Sequence, residues 1–283
     1  MQPEERIRAE IVEVGRRLHE RGYVAANDGN ISVRLDDKRL LTTPTGVSKG
    51  FMTPDMMVMT DMRGTQLAGD RKASSELLMH LAVYEQRPEI RAVVHAHPPT
   101  ATGFAVAGIP LDRAVLAEVV VTLGSIPIAG YGTPSTVELA DAVRKDIATY
   151  DGLLLANHGA LTIAQELFAA YYRMETVEHF ARISLVARLL GRERVLSREE
   201  VLRLQELRET YGIAAPAPIC AFDESSGEGA DCQVVQAPSS PDARLVDDRS
   251  PTRVPEEVGS GGEIRLTYRE LTALIEDAVK VLK

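Results

Sequence analysis

Apolar residues at Ile7, Ile11, Val14 and Leu18 recur at helical spacing and predict an amphipathic helix over 4–20 that stops near Gly22. Beyond it the pattern changes to short runs over 30–35, 39–42 and 57–60, separated by Asp36-Asp37 and by turns holding Gly or Pro, which predict strands. Ser74 or Ser75 caps a predicted helix that runs to about Arg87, where Pro88 stops it. There follow a strand over 92–97, a short helix over 100–107, an apolar stretch over 124–128 around Pro127, a helix over 136–150 and a strand over 153–156. Phe168, Tyr172, Val177, Phe180, Ile183, Val186 and Leu190 line one face of a long predicted helix over 165–190. Ser197-Arg198-Glu199-Glu200 then reads as a capping box for a helix over 197–211.

The pattern breaks near residue 215. Residues 216–262 are rich in Pro, Gly, Ser and acid and hold few large apolar side chains, a composition that cannot bury enough surface to offset the entropy of ordering it. A flexible linker is expected there. At the far end Thr267-Tyr268-Arg269-Glu270 is a second capping box, and Leu271, Leu274, Ile275, Ala278, Val279 and Leu282 share one face of a predicted helix over 263–283. The expected organisation is a compact domain over 1–215, a linker over 216–262 and a tethered amphipathic helix that needs a binding partner.

Net charge is −9, and much of it is local: ten acidic residues stand against Arg244, Arg249 and Arg253 between Asp223 and Glu263. The remainder is close to neutral, which argues against nucleic acid or an anionic membrane as partner. Cys220 and Cys232 have neither zinc-knuckle nor CxxC spacing, so a reducing, cytoplasmic setting is expected. The N-terminal segment shows no apolar signal-peptide core, and no run approaches the roughly 20 apolar residues of a membrane span.

Candidate chemistry sits at the ends of the apolar runs. His95 and His97 in Val93-Val94-His95-Ala96-His97-Pro98 are two apart, so a strand presents both imidazoles on one face. His158 in Leu154-Leu155-Ala156-Asn157-His158-Gly159 follows another apolar run and precedes a glycine and a helical pattern, which places it at a strand's C-terminal end. Three imidazoles meeting there would hold zinc (Zn2+) or a similar divalent ion and leave a position open for substrate. Asp28-Gly29-Asn30 and Thr43-Pro44-Thr45-Gly46 are turns, and Ser74-Ser75 stands at a helix N-terminus; together they form a phosphate nest without a P-loop, although each alone is an ordinary turn or cap. Glu76 follows directly. His19, His80 and His179 lie inside helical patterns and read as structural.

These segments, with Asp28-Gly29-Asn30-Ile31-Ser32-Val33-Arg34, Ser74-Ser75-Glu76 and Thr210-Tyr211-Gly212, stand in the order and spacing of the class II aldolase/adducin family, which residues 5–213 resemble, most closely in its fuculose-phosphate aldolase branch. The resemblance implies an α/β, three-layer fold with a central, mainly antiparallel sheet flanked by helices. It implies that His95, His97 and His158 bind zinc, that Glu76 ligates it at rest and then serves as general base, and that Gly29, Asn30, Thr45, Gly46, Ser74 and Ser75 hold a phosphate. Tyr211 matches a C-terminal catalytic tyrosine. The implied activity is cleavage of a ketose 1-phosphate, such as L-fuculose 1-phosphate, to dihydroxyacetone phosphate and an aldehyde, L-lactaldehyde in that case. A homotetramer with active sites between subunits is implied too.

One position departs. Where the branch carries a tyrosine that donates a proton from the neighbouring subunit, an ungapped count from His97 gives Leu116, which leaves Glu118 or Tyr131 as replacement donors. The segment over 263–283 resembles the encapsulation peptides that dock enzymes on a bacterial microcompartment shell protein, with self-docking or oligomerisation as the plainer roles. Two other activities fit the same motifs: a ribulose-phosphate 4-epimerase, which rejoins the fragments it cuts, and an adducin-like binding module without catalysis.

Overall fold

In the computed structural model, which describes residues 3–210, the chain forms one eight-stranded sheet with helices on both faces. Helix α1 (Pro3–Glu20) leads into strands β1 (Asn30–Arg34), β2 (Leu40–Thr42), β3 (Val58–Thr60) and β4 (Gln66–Ala68), with a 3-10 turn at Lys49–Phe51 between β2 and β3. Helix α2 (Leu77–Gln86) precedes β5 (Ala92–Ala96), then come α3 (Pro99–Ala107), α4 (Ala117–Thr122), β6 (Ile128–Ala129), α5 (Val137–Ile147) and the hairpin β7 (Gly152–Leu155) and β8 (Gly159–Ala164). Helices α6 (Leu167–Leu189) and α7 (Arg198–Thr210) complete the described chain. The strand order is β4-β3-β2-β1-β5-β8-β7-β6, antiparallel except for the β6–β7 pair. The expected three-layer, mainly antiparallel architecture is present.

The layers follow from strand alternation. Ile31, Val94, Leu154 and Ala160 point to one side and pack with Ile11, Val14 and Leu18 of α1, Phe104 of α3 and Met174 and Val177 of α6. Val93, Leu153, Leu161 and Ile163 point to the other side, onto Met79 and Val83 of α2 and Leu139 and Val143 of α5. Small residues on the first face, Ala92, Ala96, Ala160 and Ala164, let the long α6 lie close to the sheet, where Thr162 donates to the Ala170 carbonyl at 2.8 Å. The box at Ser197 is formed reciprocally: its N–H donates to Glu200 Oε2 at 2.7 Å, and the Glu200 N–H to Ser197 Oγ at 3.3 Å.

The sheet differs from expectation after His158. The segment Gly159–Ala164 is a strand, not the approach to a helix, and α6 begins only at Leu167. All six of its residues are buried, so no polar alternation marks it as a strand. The exposed β4 and the six-residue α4 were also unanticipated, both too short for a periodic signal. Tyr211, the linker over 216–262 and the helix over 263–283 lie outside the described residues.

One buried carboxylate links the layers near the site. Glu178 of α6, only 1% exposed, accepts the backbone N–H groups of Thr100 at 3.0 Å and Ala101 at 2.9 Å, the donors that the start of α3 leaves unpaired. It is also paired with Arg182 at 2.8 Å. Because α3 follows His97-Pro98 directly, this contact anchors the segment that carries His97.

Candidate metal centre and active site

The sheet's central strands bring the three histidines to one point. Asn30 stands opposite His95 in the β1–β5 ladder, and Leu161 stands opposite His95 in the β5–β8 ladder, so His95 is flanked on both sides and fully buried. His97 lies just past the end of β5, its N–H donating to the Tyr23 carbonyl at 2.8 Å. His158 occupies the short loop between β7 and β8, where Asn157 takes a left-handed backbone (φ 55°) and the His158 N–H closes the turn on the Leu155 carbonyl at 3.0 Å. The two-residue step from β7 through Ala156 and Asn157 turns the imidazole back over β5.

One ligand atom from each of His95, His97 and His158 lies within 4.8 Å of the others. Glu76 faces them from the N-cap position of α2, its Oε1 at 3.1 Å from His158 Nε2 and its Oε2 at 3.5 Å from His95 Nε2. The side chain makes no capping bond, because it is turned toward the histidines and accepts from Asn30 Nδ2 at 2.7 Å. Neither serine is the N-cap that the sequence predicts; Ser74 Oγ accepts the Glu76 N–H at 3.3 Å, in the turn ahead of the helix.

The hydrogen bonding around the rings decides what can sit among them. His95 Nδ1 donates to the Ala160 carbonyl at 2.9 Å, and His97 Nδ1 faces Asp28 Oδ2 at 3.4 Å. With both Nδ1 atoms carrying hydrogen, two Nε2 lone pairs meet across 3.1 Å beside an ionised carboxylate. That arrangement is repulsive unless a cation lies between. Two nitrogens on a tetrahedral zinc stand about 3.3 Å apart, given bonds of about 2.0–2.1 Å, so the donor set fits a divalent ion with three imidazoles and a nearby carboxylate. The Nδ1–H bonds to a carbonyl and a carboxylate are the outer contacts that orient histidine ligands.

Titration properties agree. Burial pushes His95 well below the ordinary imidazole range and lowers His97 too, which keeps both neutral and able to bind a metal. For Glu76 burial acts to disfavour the charge, but the hydrogen bond from His158, the electrostatic pull of His95 and His158 and the bond from Asn30 together outweigh it and hold the carboxyl well below the usual range. His80, one turn further along α2, is buried, shares a hydrogen bond with Ser32 Oγ at 2.7 Å and is pushed down to about 4 by burial, so it is a neutral structural residue as expected. Ser32 Oγ also meets Tyr84 at 2.8 Å, and this trio fastens α2, and with it Glu76, to β1.

The expected phosphate residues lie around this cluster. Gly29 (φ 72°) and Gly46 (φ 70°) both use the left-handed region. They differ in surroundings: a side chain on Gly29 would meet His95 O at 2.8 Å, whereas Gly46 faces open space. Thr45 and Ser75 are exposed and Ser74 is half-buried. The 43–46 turn is joined to the serine loop by Thr45 N–H to Lys72 O at 3.0 Å and Ser74 N–H to Thr43 O at 3.1 Å. Leu116 caps α4 and, with Glu118, lines a cavity of about 450 Å³ beside Tyr23, Glu178 and Arg182, while Tyr131 is 65% exposed. Neither Glu118 nor Tyr131 contacts the histidines within this chain.

Residues that spacing did not single out also shape the site. Asp28 orients His97, the Ala160 carbonyl orients His95, and Gly159 leaves both rings room. A Cβ on Gly159 would stand 2.5 Å from His97 Cδ2 and 2.6 Å from the Ala96 carbonyl. Gly159→Ala is therefore expected to weaken zinc binding about 10- to 100-fold, the range for disturbing how histidine ligands are oriented, because the His97 ring or the Ala96 backbone must shift while all three histidines are retained. Chelator-competition titration of the purified variant would check this.

The family model described as the class II aldolase and adducin N-terminal domain matches residues 9–185. The 3-oxo-tetronate 4-phosphate decarboxylase of Pectobacterium atrosepticum is 34% identical over 187 residues, 65% of this chain and 85% of its own length. The L-fuculose phosphate aldolase of Methanococcus maripaludis is 33% identical over 177 residues, 62% of this chain and 95% of its own. Among solved structures, an L-fuculose 1-phosphate aldolase superposes with a TM-score of 0.67 at 32% identity, over 72% of this chain and 95% of the other. Since the matched segment spans more than half of the sequence and contains the histidine cluster and Glu76, the chain belongs to the class II aldolase/adducin family.

Proposed function

We propose that the protein is a zinc-dependent lyase that breaks a carbon–carbon bond in a phosphorylated keto-sugar, with L-fuculose 1-phosphate as the first substrate to test. The observation that carries this reading is the convergence of His95, His97 and His158, with the Nε2 atoms of the first two 3.1 Å apart and Glu76 closing the same space. His95, His97 and His158 would hold the ion. The chemistry a bound zinc supplies is neutralisation of negative charge on the substrate carbonyl next to the breaking bond. Glu76, ionised and lying against the histidines, shuttles the proton: it accepts it from the substrate hydroxyl whose carbon becomes the aldehyde as the carbon–carbon bond breaks, and returns it to the carbon left on the phosphorylated fragment. The turns carrying Gly29, Asn30, Thr45 and Gly46, with Ser74 and Ser75, hold the phosphate through backbone N–H groups and hydroxyls. Tyr211 recognises the aldehyde end, and fourfold assembly completes the site. The segment over 263–283 docks the enzyme on a microcompartment shell, a role carried by its apolar face alone.

A second reading, decarboxylation of 3-oxo-tetronate 4-phosphate, is favoured by two observations. The Pectobacterium relative bears that activity in its name, and an ungapped count from His97 puts Leu116 where the resemblance to the fuculose branch implies a proton-donating tyrosine. Loss of carbon dioxide leaves no aldehyde oxygen to exchange a proton, so an apolar residue there is no handicap.

Elemental analysis combined with product assays separates these readings. About one zinc per chain and chelator-sensitive release of dihydroxyacetone phosphate from L-fuculose 1-phosphate are expected. Carbon dioxide and dihydroxyacetone phosphate from 3-oxo-tetronate 4-phosphate, with L-fuculose 1-phosphate left uncut, would select the decarboxylase, and inverted pentose phosphate alone would select the epimerase. Neither metal nor turnover would overturn the lyase reading.

A further inference from the structure

Lys49 is 2% exposed, the one lysine or arginine so deeply buried among the described residues, and it lies in the 3-10 turn that follows the 43–46 segment. Its Nζ donates to the Asn27 carbonyl at 3.0 Å and to the Val47 carbonyl at 2.5 Å. Those carbonyls flank two of the turns assigned to phosphate: Asn27 directly precedes Asp28-Gly29-Asn30, and Val47 directly follows Gly46. β1 and β2 hold the turns together only as far as Ile31 and Thr43, where the last bond runs from Thr43 N–H to Ile31 O at 3.0 Å. Beyond it the Lys49 ammonium spans from one turn to the other.

Helix α1 packs closely on the backbone of the turn that carries this lysine. Gly15 of α1 faces it so closely that an added Cβ would stand 2.8 Å from the Lys49 carbonyl, and a glycine inside a helix costs about 0.5–1 kcal/mol relative to alanine. Burial pulls the ammonium down to about 8, against the opposing pull of Asp28 and Glu76. A buried cation whose hydrogen-bond partners are neutral carbonyls is expensive in an apolar setting, and a nearby anion offsets that cost.

We propose that Lys49 is the positioning residue of the phosphate site: its ammonium clamps the 28–30 turn against the 43–46 turn and sets affinity for the substrate's phosphate, not the rate of bond cleavage. The inference rests on the phosphate reading of those turns, so the test has two arms, both on the full-length zinc-loaded protein.

In the first arm, inorganic phosphate binding is measured by calorimetry for wild type and Ser75→Ala. Binding weakened by Ser75→Ala supports the nest, while no binding, or binding indifferent to that change, overturns the nest and the inference with it. In the second arm, Lys49→Met is expected to weaken phosphate binding at least about tenfold and to raise KM for the phosphorylated substrate alike, with kcat within about threefold and zinc content unchanged. Lys49→Gln, which keeps one donor and less disruption, carries the same measurement should Lys49→Met fail to fold. Wild-type phosphate affinity in the folded variant, or a fall in kcat at constant KM, would overturn the role of Lys49 while leaving the nest intact.

Discussion

His95→Ala is expected to abolish stoichiometric zinc binding and to lower kcat/KM by about a thousandfold or more, since a catalytic metal contributes several kcal/mol to the transition state and each 1.36 kcal/mol is about tenfold. The side chain is fully buried and its Nε2 faces the other ligands, so no neighbouring group can replace it. Truncation also strips the Ala160 carbonyl of its donor, at a cost of about 1–3 kcal/mol, but it relieves the opposed lone pairs of His95 and His97. The metal-free variant should therefore melt near the metal-free wild type. Elemental analysis and thermal melts of the two metal-free proteins check this; a variant that retains one zinc per chain would remove His95 from the ligand set.

The same residue governs acid behaviour. Metal binding needs neutral imidazoles, and a lowered pKa means that protons compete only below the ordinary value of about 6.5. Zinc is accordingly expected to stay bound at pH 6 and to leave as the pH falls further. Zinc retention after dialysis across that range reads it directly, and release beginning above pH 7 would contradict the burial argument.

Glu76→Gln is expected to lower kcat by about 10²- to 10⁴-fold with KM little changed, the range for losing a positioned proton-transfer group. An amide can still accept from Asn30 and face His158, so the fold and the three histidines should persist. The wild-type carboxyl, held below the usual range, is ionised at neutral pH and ready to accept a proton. Steady-state kinetics with parallel zinc analysis checks the split. A loss of zinc proportional to the loss of rate would make Glu76 a ligand first and a base second.

Much of this site could be read from the chain. The two-residue spacing of His95 and His97 needs only a strand to face both rings the same way, and β5 supplies it. The Ser-Arg-Glu-Glu box is a local pattern, formed by residues three apart, and it appears where expected. The buried face of α6 does not: it runs through Leu167, Ala170, Tyr171, Met174, Val177, Phe180 and Ala181, while Tyr172, Val186 and Leu190, expected on that face, are exposed. Corrections come where neighbours distant in sequence decide. Gly159–Ala164 is a strand because β5 and β7 pair with it on either side, a fact its own six residues do not encode. Glu76 stands out in sequence only through the family resemblance; its turn toward the histidines depends on β1 bringing Asn30 beside it.

What the sequence by itself determined is the inventory: three histidines at strand ends, a carboxylate at a helix start, two turns and a serine pair, in the order that marks the family. Local spacing suffices for those, because helix and strand periods set which neighbours share a face. Only the tertiary structure decided their relations. Pairing of β1, β5 and β8 sets His95 between Asn30 and Leu161, the hairpin swings His158 over β5, and Gly159 leaves the rings space. Lys49 shows the same limit: a lysine in a 3-10 turn reads as solvated surface, and its place beneath two loops follows from the packing of α1 against that turn, which residues more than thirty positions apart determine.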